Sequence, residues 1–511
     1  MRKEQENDKR RFHMTGEKIV KVLSENGITV RETEGFRKEK FTSLCFHSGK
    51  AEKGGLLFAK GSGFRKEYLD EAVSRGISGY VAEQLFEAAV PGLLVSDCKE
   101  AMGITSKAFF EDPQKELVTA AVTGTNGKTT TVHFLEKIFE AHSGRKTGYI
   151  ATDGCFDGAF EQEMHMTTPE SVDSYDMMRR AADCGCRYFV MECSSQSEKM
   201  KRLAGMRFDV GIFTNITDDH YSPLEHSSFE EYLSCKLGIV KRFRNAVINL
   251  DDSHAKEVVA AAADACRIVT CSIHPETGAD VYVKEIKNMG LRPVFTAVTS
   301  EWEQEIEVPV PGFFNISNAL EALAAGYVMG IAPETIAEGI GKTFVHGRMF
   351  VYDINGYPAV VDYAHNFAAV RSALRAIKEL YPEKKIVMVF GCPGTTGLQR
   401  RKDMVFAARP FAERILITND DPHDVDPQTI IREIASYAEK AGIPYETVTD
   451  RKECIEKAVH EMTPEEILFV TAKGNEHFIK AGKELQYYEG DPQIVEQALF
   501  ERSETVCLRS Q

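Results

Sequence analysis

Apolar positions along this chain recur in two periods. Short runs of β-formers alternate with stretches whose apolar residues fall three and four apart, the pattern of strands and amphipathic helices. From about Gly16 to Asp112 it predicts a helix over residues 19–25 and several short strands. Within that region GGLLFAKGSGFRKEYLDEAVSRGISGYVAE reads strand, loop, helix, strand, with Tyr68, Leu69, Ala72 and Val73 marking the helix. The polar break Glu111-Asp112-Pro113-Gln114 closes it. Strands are then expected at 118–123, 187–192, 210–215, 246–250 and 267–271, separated by helical stretches. That alternation predicts a mostly parallel sheet covered by helices, whose ligands gather at the carboxyl ends of the strands. After residues 281–308 comes Pro311-Gly312-Phe313-Phe314-Asn315, then a helix over 316–327. Alternation resumes after Gly347, with strands at 359–361, 385–390, 414–418 and 466–470. No GxGxxG follows the first of these, which leaves a dinucleotide site without support. The fold class is α/β, in three domains over residues 1–113, 114–344 and 345–511.

At 511 residues the chain has the length of about three domains. Its 43% hydrophobic and 27% charged residues are those of a soluble globular protein. A formal charge of −15 argues against a general nucleic-acid or anionic-membrane surface, so any polyanion must meet a local basic site. No stretch has the apolar length of a membrane span. The charged start MRKEQENDKRRFHM has no apolar core of a signal peptide and predicts a frayed arm in a cytoplasmic protein. The 12 cysteines lack zinc-ribbon spacing and read as reduced thiols.

The most informative stretch is LVTAAVTGTNGKTTT. A strand runs into Gly124-Thr125-Asn126-Gly127-Lys128-Thr129-Thr130, and a helical pattern through Val132, Leu135 and Phe139 follows. Strand, glycine-bearing turn and helix N-terminus make a phosphate cradle: backbone N–H groups face the anion and Lys128 adds a full charge. The loop is two residues shorter than G-x-x-x-x-G-K-[ST], so the inference rests on that context. Glu192 ends the apolar run YFVMECSSQ and stands where a carboxylate is either a magnesium ligand or the cap of the next turn. Asp218-Asp219-His220 offers oxygen and imidazole donors at another strand end. In SFEEYLSCKLGIVKRF, Lys236 lies within a helical stripe of Phe229, Tyr232, Leu233, Leu237 and Val240. An unpaired buried ammonium is costly, so the lysine either snorkels to water or is held inside by a partner.

Together these residues resemble the Mur ligases, ATP-dependent enzymes that build the peptide of the cell-wall precursor. The resemblance runs from about Phe41 to Gly490. GTNGKTTT is similar to the family's phosphate loop, PGFFNISNALEALAA to its adenine-side helix, HGRMF to its GRME segment and VDYAHNFAAV to its DYAHxPxAL segment. The resemblance implies that Asn318 contacts adenine, Arg348 the γ-phosphate and Asp362 the ribose, with His365 beside the nucleotide. It further implies magnesium held by Thr129, Glu192 and His220, and by Lys236 as a carbamate. Within the family the likeness is greatest to members that add the third residue to UDP-N-acetylmuramoyl-L-alanyl-D-glutamate. Thr167-Thr168-Pro169, Ser194 and Arg202 match positions that contact the UDP-sugar peptide; Asp420-Asp421-Pro422-His423 and Ala472-Lys473-Gly474-Asn475-Glu476 match the amino-acid motifs.

The activity so implied is amide ligation through an acyl-phosphate, with ATP and magnesium as cofactors, Lys128, His220, Lys236 and Arg348 at the chemistry, and a diamino acid (L-lysine or meso-diaminopimelate) as the nucleophile. The partners are small molecules, and the chain acts as a monomer. Departures from the family pattern fall on the acceptor side: Gln196, Met200, SPLEHSSF after His220, GCPGTTGLQRRKD and His423. His423 stands where an arginine would pair with the second carboxylate of diaminopimelate. A folylpolyglutamate- or cyanophycin-like ligase and a non-catalytic nucleotide-binding scaffold are the alternatives; the acceptor motifs count against the first and the intact ATP motifs against the second.

Overall fold

The computed structural model describes residues 12–164, 166–217, 226–345, 347–482 and 484–509, with side chains described as far as 502. The chain divides into two compact units, Met1–Ala120 with Arg145–Asp209, and Ala121–Gly144 with Val210–Gln511.

In the first unit, the strands Val30–Glu32, Gly92–Val95, Gly79–Ala82, Gly55–Ala59 and Ser43–Cys45 form a five-stranded sheet in that order. All pairs are parallel except the first. The helix Lys66–Ser74 buries Leu69 and Ala72 and leaves Tyr68 exposed, a narrower apolar face than the expected stripe. Phe12 and Met14, expected within a frayed arm, are instead packed. Met14–Thr15 pairs with Lys40–Phe41, Met14 is buried, and the Phe12 ring packs on Phe109 and Phe110, because these apolar side chains gain more by burial than the arm loses in freedom. At the polar break, Glu111 and Asp112 adopt positive φ (59° and 50°), and the 3-10 turn Pro113–Lys115 follows. A residue before proline is kept out of the right-handed helical region, which ends the helix Cys98–Phe109 cleanly. The same unit holds Glu161–Gln162, Gly154–Phe156, Gly148–Ala151 and Tyr188–Glu192, neighbours in that order, with the helix Ser171–Asp183.

The second unit carries the end of the strand Val118–Thr123, then Phe208–Phe213, Phe243–Asn249, Arg267–Ser272, Val281–Asn288, Val294–Val298 and Glu303–Glu307 in sheet order. Arg267–Ser272 runs parallel to both of its neighbours, and the last three strands form an antiparallel meander. The sequence pattern had shown that meander only as one undivided stretch. The helix Phe313–Val328 is buried on nearly all sides, as its alanine-rich sequence permits.

Also in this unit is a six-stranded sheet in the order Phe350–Ile354, Tyr357–Val361, Glu466–Val470, Lys385–Phe390, Ala412–Ile417, Tyr445–Thr447. Only the first pair is antiparallel. Alternate residues of its strands feed two cores. Ile386, Met388 and Phe390 face one layer of helices; Val387 and Val389 face the other. A strand buried on both faces has no polar side to show, which is why these segments read as continuous apolar runs. No helix among the described residues is long and apolar enough to cross a membrane, and the described cysteine side chains form no disulfide.

Candidate active site

The phosphate loop leaves its strand at Gly124 (φ 149°) and enters the helix Lys128–Ser143 through Gly127 (φ 87°). Both glycines are required by space as well as by conformation. A Cβ on Gly124 would lie 1.9 Å from Thr214 Oγ1, and one on Gly127 2.2 Å from Asn318 Oδ1. The loop is held from behind by the strand end at Thr214-Asn215. Thr125 N–H donates to Asn215 O (2.7 Å), Asn126 N–H to Asn215 Oδ1 (2.9 Å), and Thr214 Oγ1 to Asn126 O (2.7 Å). Lys128 Nζ folds back on Thr125 O at 2.9 Å, a partner that a phosphate oxygen can replace. Thr129 and Thr130 are buried in the first turn, where the helix dipole favours an anion.

Lys236 does not snorkel. It is 2% exposed, and Nζ donates to Gly124 O at 2.6 Å while lying 4.8 Å from the centre of the Tyr232 ring. The fully buried face of its helix Phe229–Val240 is Tyr232, Lys236, Ile239 and Val240, with the lysine at its centre. Tyr232, which sequence reasoning read only as core, shares its hydroxyl with Thr125 Oγ1 at 2.8 Å. This helix therefore presses two polar groups against the loop.

Asn318 lies one turn into the buried helix, and its Nδ2 donates to Asn315 Oδ1 (3.0 Å); Asn315 Nδ2 in turn donates to Pro311 O. Arg348 reaches the loop from the segment Gly347–Met349, where both flanking residues take positive φ (62° and 46°). Strain at a non-glycine residue persists only where neighbours impose it. Here Asp362 Oδ2 accepts the Met349 N–H at 2.7 Å, and Oδ1 accepts that of Ala364 at 2.7 Å. Burial raises the Asp362 pKa, and the Arg348 charge opposes that rise. Arg348 Nη2 donates to Thr129 Oγ1 at 3.0 Å, and its guanidinium lies 4.4 Å from the centre of the Tyr363 ring. His365 donates from Nδ1 to Tyr363 O (2.8 Å); burial and the charge of Arg400 hold its pKa well below the ordinary value, so the ring is neutral. Asn366 Nδ2 donates to Asn126 Oδ1 at 3.0 Å, a loop contact that the sequence did not disclose.

Tyr363 leads to a second cluster, since its hydroxyl donates to Glu476 Oε1 at 3.0 Å. Lys473, fully buried, places Nζ 2.8 Å from Glu476 Oε2, 3.0 Å from Asp421 Oδ1 and 3.4 Å from Asp420 Oδ1. These carboxylates raise the lysine pKa against its burial, so it is charged. Three carboxylates around one ammonium leave a negative surplus; Lys480 Nζ approaches Asp421 Oδ2 only to 3.8 Å. His423 adopts positive φ (51°), its N–H donating to Lys480 O and its carbonyl accepting from Gly482.

The first unit holds the other expected contacts. Glu192 is buried, and its Oε2 accepts from Thr152 N–H (2.9 Å) and Thr152 Oγ1 (3.1 Å). Thr152 Oγ1 also meets Thr167 Oγ1 at 3.0 Å. Thr168 Oγ1 donates to Glu192 O and accepts the Ser194 N–H, and Arg202 Nη1 donates to Thr168 O at 3.1 Å. Sequence reasoning passed over Thr152; its signal was the strand end at Ala151. Thr129 and Lys236 belong to the second unit, Glu192 to the first, and His220 lies outside the described residues. Among the described residues no group of three or more His, Cys, Asp or Glu gathers as a metal site.

Comparison with known proteins shows the family. The Mur ligase middle domain matches residues 122–326, and the Mur ligase glutamate ligase domain matches residues 347–474. A UDP-N-acetylmuramyl-tripeptide synthetase of Bifidobacterium longum is 35% identical over 90% of this chain and 92% of its own length. The chain belongs to the Mur ligases. A UDP-N-acetylmuramoyl-L-alanyl-D-glutamate–L-lysine ligase of Streptococcus pneumoniae is 34% identical over 91% of the chain and 94% of its own. The solved structure of a UDP-N-acetylmuramoyl-L-alanyl-D-glutamate–2,6-diaminopimelate ligase shares the fold, with a TM-score of 0.63 at 24% identity over 92% of this chain and 96% of that one. As a Mur ligase the chain has the family's three-domain α/β architecture and its ATP-dependent acid–amino-acid ligation.

Proposed function

We propose that this Mur ligase adds L-lysine to the D-glutamyl residue of UDP-N-acetylmuramoyl-L-alanyl-D-glutamate, in peptidoglycan precursor synthesis. The observation that carries the reading is the placement of Arg348. It bonds Thr129 at the mouth of the phosphate loop and stacks on Tyr363, whose hydroxyl holds Glu476 of the acidic cluster. One side chain thereby links the nucleotide end to the amino-acid end, as an enzyme needs if it must activate a carboxylate and then deliver an amine to it.

In this reading the loop N–H groups, Lys128 and Arg348 hold the triphosphate, Asn318 the adenine and Asp362 the ribose, with His365 alongside. The D-glutamate carboxylate attacks the γ-phosphorus, giving an acyl-phosphate and ADP. The α-amine of lysine then displaces phosphate to form the amide. Lys128 and Arg348 offset the charge that collects as two anions meet. Asp420, Asp421 and Glu476, exceeding Lys473 in charge, suit the cationic side chain of lysine. Diaminopimelate would bring a second carboxylate to a region whose matching position is His423. Thr167, Thr168, Ser194 and Arg202 take the UDP-sugar peptide.

Magnesium belongs to this proposal. The hydroxyl of Thr129 and the carboxylate of Glu192 are hard oxygen donors of the kind it prefers, and the imidazole of His220 is a further ligand type. The amine of Lys236 is not such a donor, and for that reason the carbamate is included. When bound, the metal neutralises phosphate charge. We place the domain boundaries near residues 113 and 344, and the enzyme in the cytoplasm as a monomer.

The test is ADP release with UDP-N-acetylmuramoyl-L-alanyl-D-glutamate and a panel of amino acids, with product masses read. Release that requires both substrates and yields the lysine adduct supports the reading. Release with a folate or a simple peptide acceptor instead, or none with any acceptor, overturns it.

A further inference from the structure

Asp420 and Asp421 stand on the loop after the strand Ala412–Ile417, and Lys473 and Glu476 on the loop after Glu466–Val470. These strands are not neighbours, because Lys385–Phe390 runs between them. At ordinary spacing that leaves their ends about 9–10 Å apart. Yet Lys473 Nζ meets Asp421 Oδ1 at 3.0 Å, so the loops lean toward each other over the end of the middle strand. Gly391 makes room there: a Cβ on it would lie 2.6 Å from Asn419 O. Strand pairing does not fix how far such loops lean. That distance is set from outside the sheet.

Arg451 supplies the link. Its Nη1 donates to the carbonyl of Asn419 (3.2 Å), the residue before Asp420, and its Nη2 to that of Thr471 (2.8 Å), two residues before Lys473. Two further bonds go to Asp491, from Nε to Oδ1 at 2.8 Å and from Nη2 to Oδ2 at 2.7 Å, and both side chains are fully buried. Tyr488 donates its hydroxyl to the same Oδ1 at 2.7 Å. The Tyr488 N–H also donates to His477 O (2.9 Å), and His477 Nδ1 to Glu489 O (2.9 Å). The segment that carries Asp491 is therefore fastened beside Glu476 as well.

Neither local preference nor stability accounts for this arrangement. Arg451 is the first residue of the helix Arg451–Glu461, where the helix dipole disfavours a cation. A buried ion pair adds little net stability over apolar residues of similar volume. What apolar residues cannot do is hold two carbonyls of separate loops at fixed positions. The planar guanidinium does so, because its donors form a rigid fork.

We propose that Arg451, oriented by Asp491 and Tyr488, is a positioning residue for the incoming amino acid. It sets the separation of the two loops and with it the spacing of the carboxylates around Lys473, without touching the substrate. This rests on the proposed assignment of that acidic cluster to the amino acid. It also makes the start of the helix Asp491–Arg509 part of the support of the site.

The experiment uses the full chain and compares wild type, Asp421→Asn, Arg451→Lys and Tyr488→Phe in ligation of L-lysine to UDP-N-acetylmuramoyl-L-alanyl-D-glutamate. Absence of wild-type ligation, or an unchanged KM for lysine in Asp421→Asn, would sink the parent reading of the cluster instead. Given both, Arg451→Lys keeps the charge but loses the fork, and should raise the KM for L-lysine about tenfold or more. Tyr488→Phe keeps the ion pair, and so tests the proposal even where the lysine variant does not fold. It should raise the same KM about two- to fivefold, the effect of one lost hydrogen bond. The KM values for ATP and for the UDP substrate should move less than about twofold in either variant. A merely structural pair would lower the melting temperature and the active fraction while every KM stayed at the wild-type value. That result in Tyr488→Phe would overturn the proposal, and so would a parallel rise of all three KM values.

Discussion

Gly127 gives the sharpest test of how the phosphate loop is built, because the same helix supplies its own control. Gly127 and Gly144 bracket Lys128–Ser143, and both have positive φ (87° and 66°). Alanine at either site incurs the left-handed penalty of about 1 kcal/mol. At Gly144 an added Cβ meets nothing within 4 Å, so that is the whole effect. At Gly127 the Cβ would sit 2.2 Å from Asn318 Oδ1 and 3.0 Å from Asn318 Cγ. Relief requires Asn318 to move by roughly 1 Å, since carbon and oxygen pack no closer than about 3.2 Å. That movement breaks its 3.0 Å bond to Asn315. Leaving a buried amide unpaired costs about 1–3 kcal/mol. Gly127→Ala should therefore lose about 2–4 kcal/mol against about 1 for Gly144→Ala. The assay is urea unfolding of both variants together with ATP titration. ATP affinity should fall about tenfold or more in Gly127→Ala, equivalent to about 1.4 kcal/mol, and stay near wild type in Gly144→Ala. Equal losses of stability with unchanged ATP binding in both would refute the coupling of the loop to Asn318.

Three further outcomes are expected. Lys236→Ala should still bind nucleotide but fail at acyl-phosphate formation, with partial recovery on adding a small carboxylic acid; a bare ammonium in a magnesium–nucleotide complex of active enzyme would refute the carbamate. Glu321, 1% exposed on the helix Phe313–Val328, accepts from Asn249 Nδ2 at 2.9 Å and has its pKa pushed up to about 8 by burial. Its folded pKa exceeds the unfolded value, so between about pH 4.5 and 8 the folded state holds a proton that the unfolded state has lost, and stability falls as pH rises through that window. Glu321→Gln keeps the Asn249 contact and should gain on wild type progressively across it, levelling above; a constant difference in urea midpoints from pH 5 to 8 would count against a titrating Glu321. His423→Arg should shift the kcat/KM ratio toward diaminopimelate by about tenfold or more, the worth of one bidentate carboxylate contact, and an unchanged ratio would show that this position is not the selector.

Much of this molecule was legible along the chain. Lys385–Phe390 and Glu466–Val470 form at the expected limits, because an apolar run between polar residues marks a strand buried on both faces. The strand–turn–helix around Gly124 and Gly127 was legible because its pattern is local: strand, glycines and helix start lie within a few residues of one another. The state of Lys236 was not. Periodicity placed it on an apolar stripe, but its burial depends on Gly124 O, 112 residues away, and that oxygen exists as a partner only once the loop has folded over it. Likewise nothing near Glu170 in the sequence reveals that its carboxylate meets Lys60, far back along the chain. The antiparallel meander Val281–Glu307 was hidden for a related reason, since strand pairing is a relation between segments rather than a property of one. Local sequence determined the elements and the chemistry each carries. Which polar groups are buried, and against whom, was decided by contacts across distances that no short-range pattern encodes.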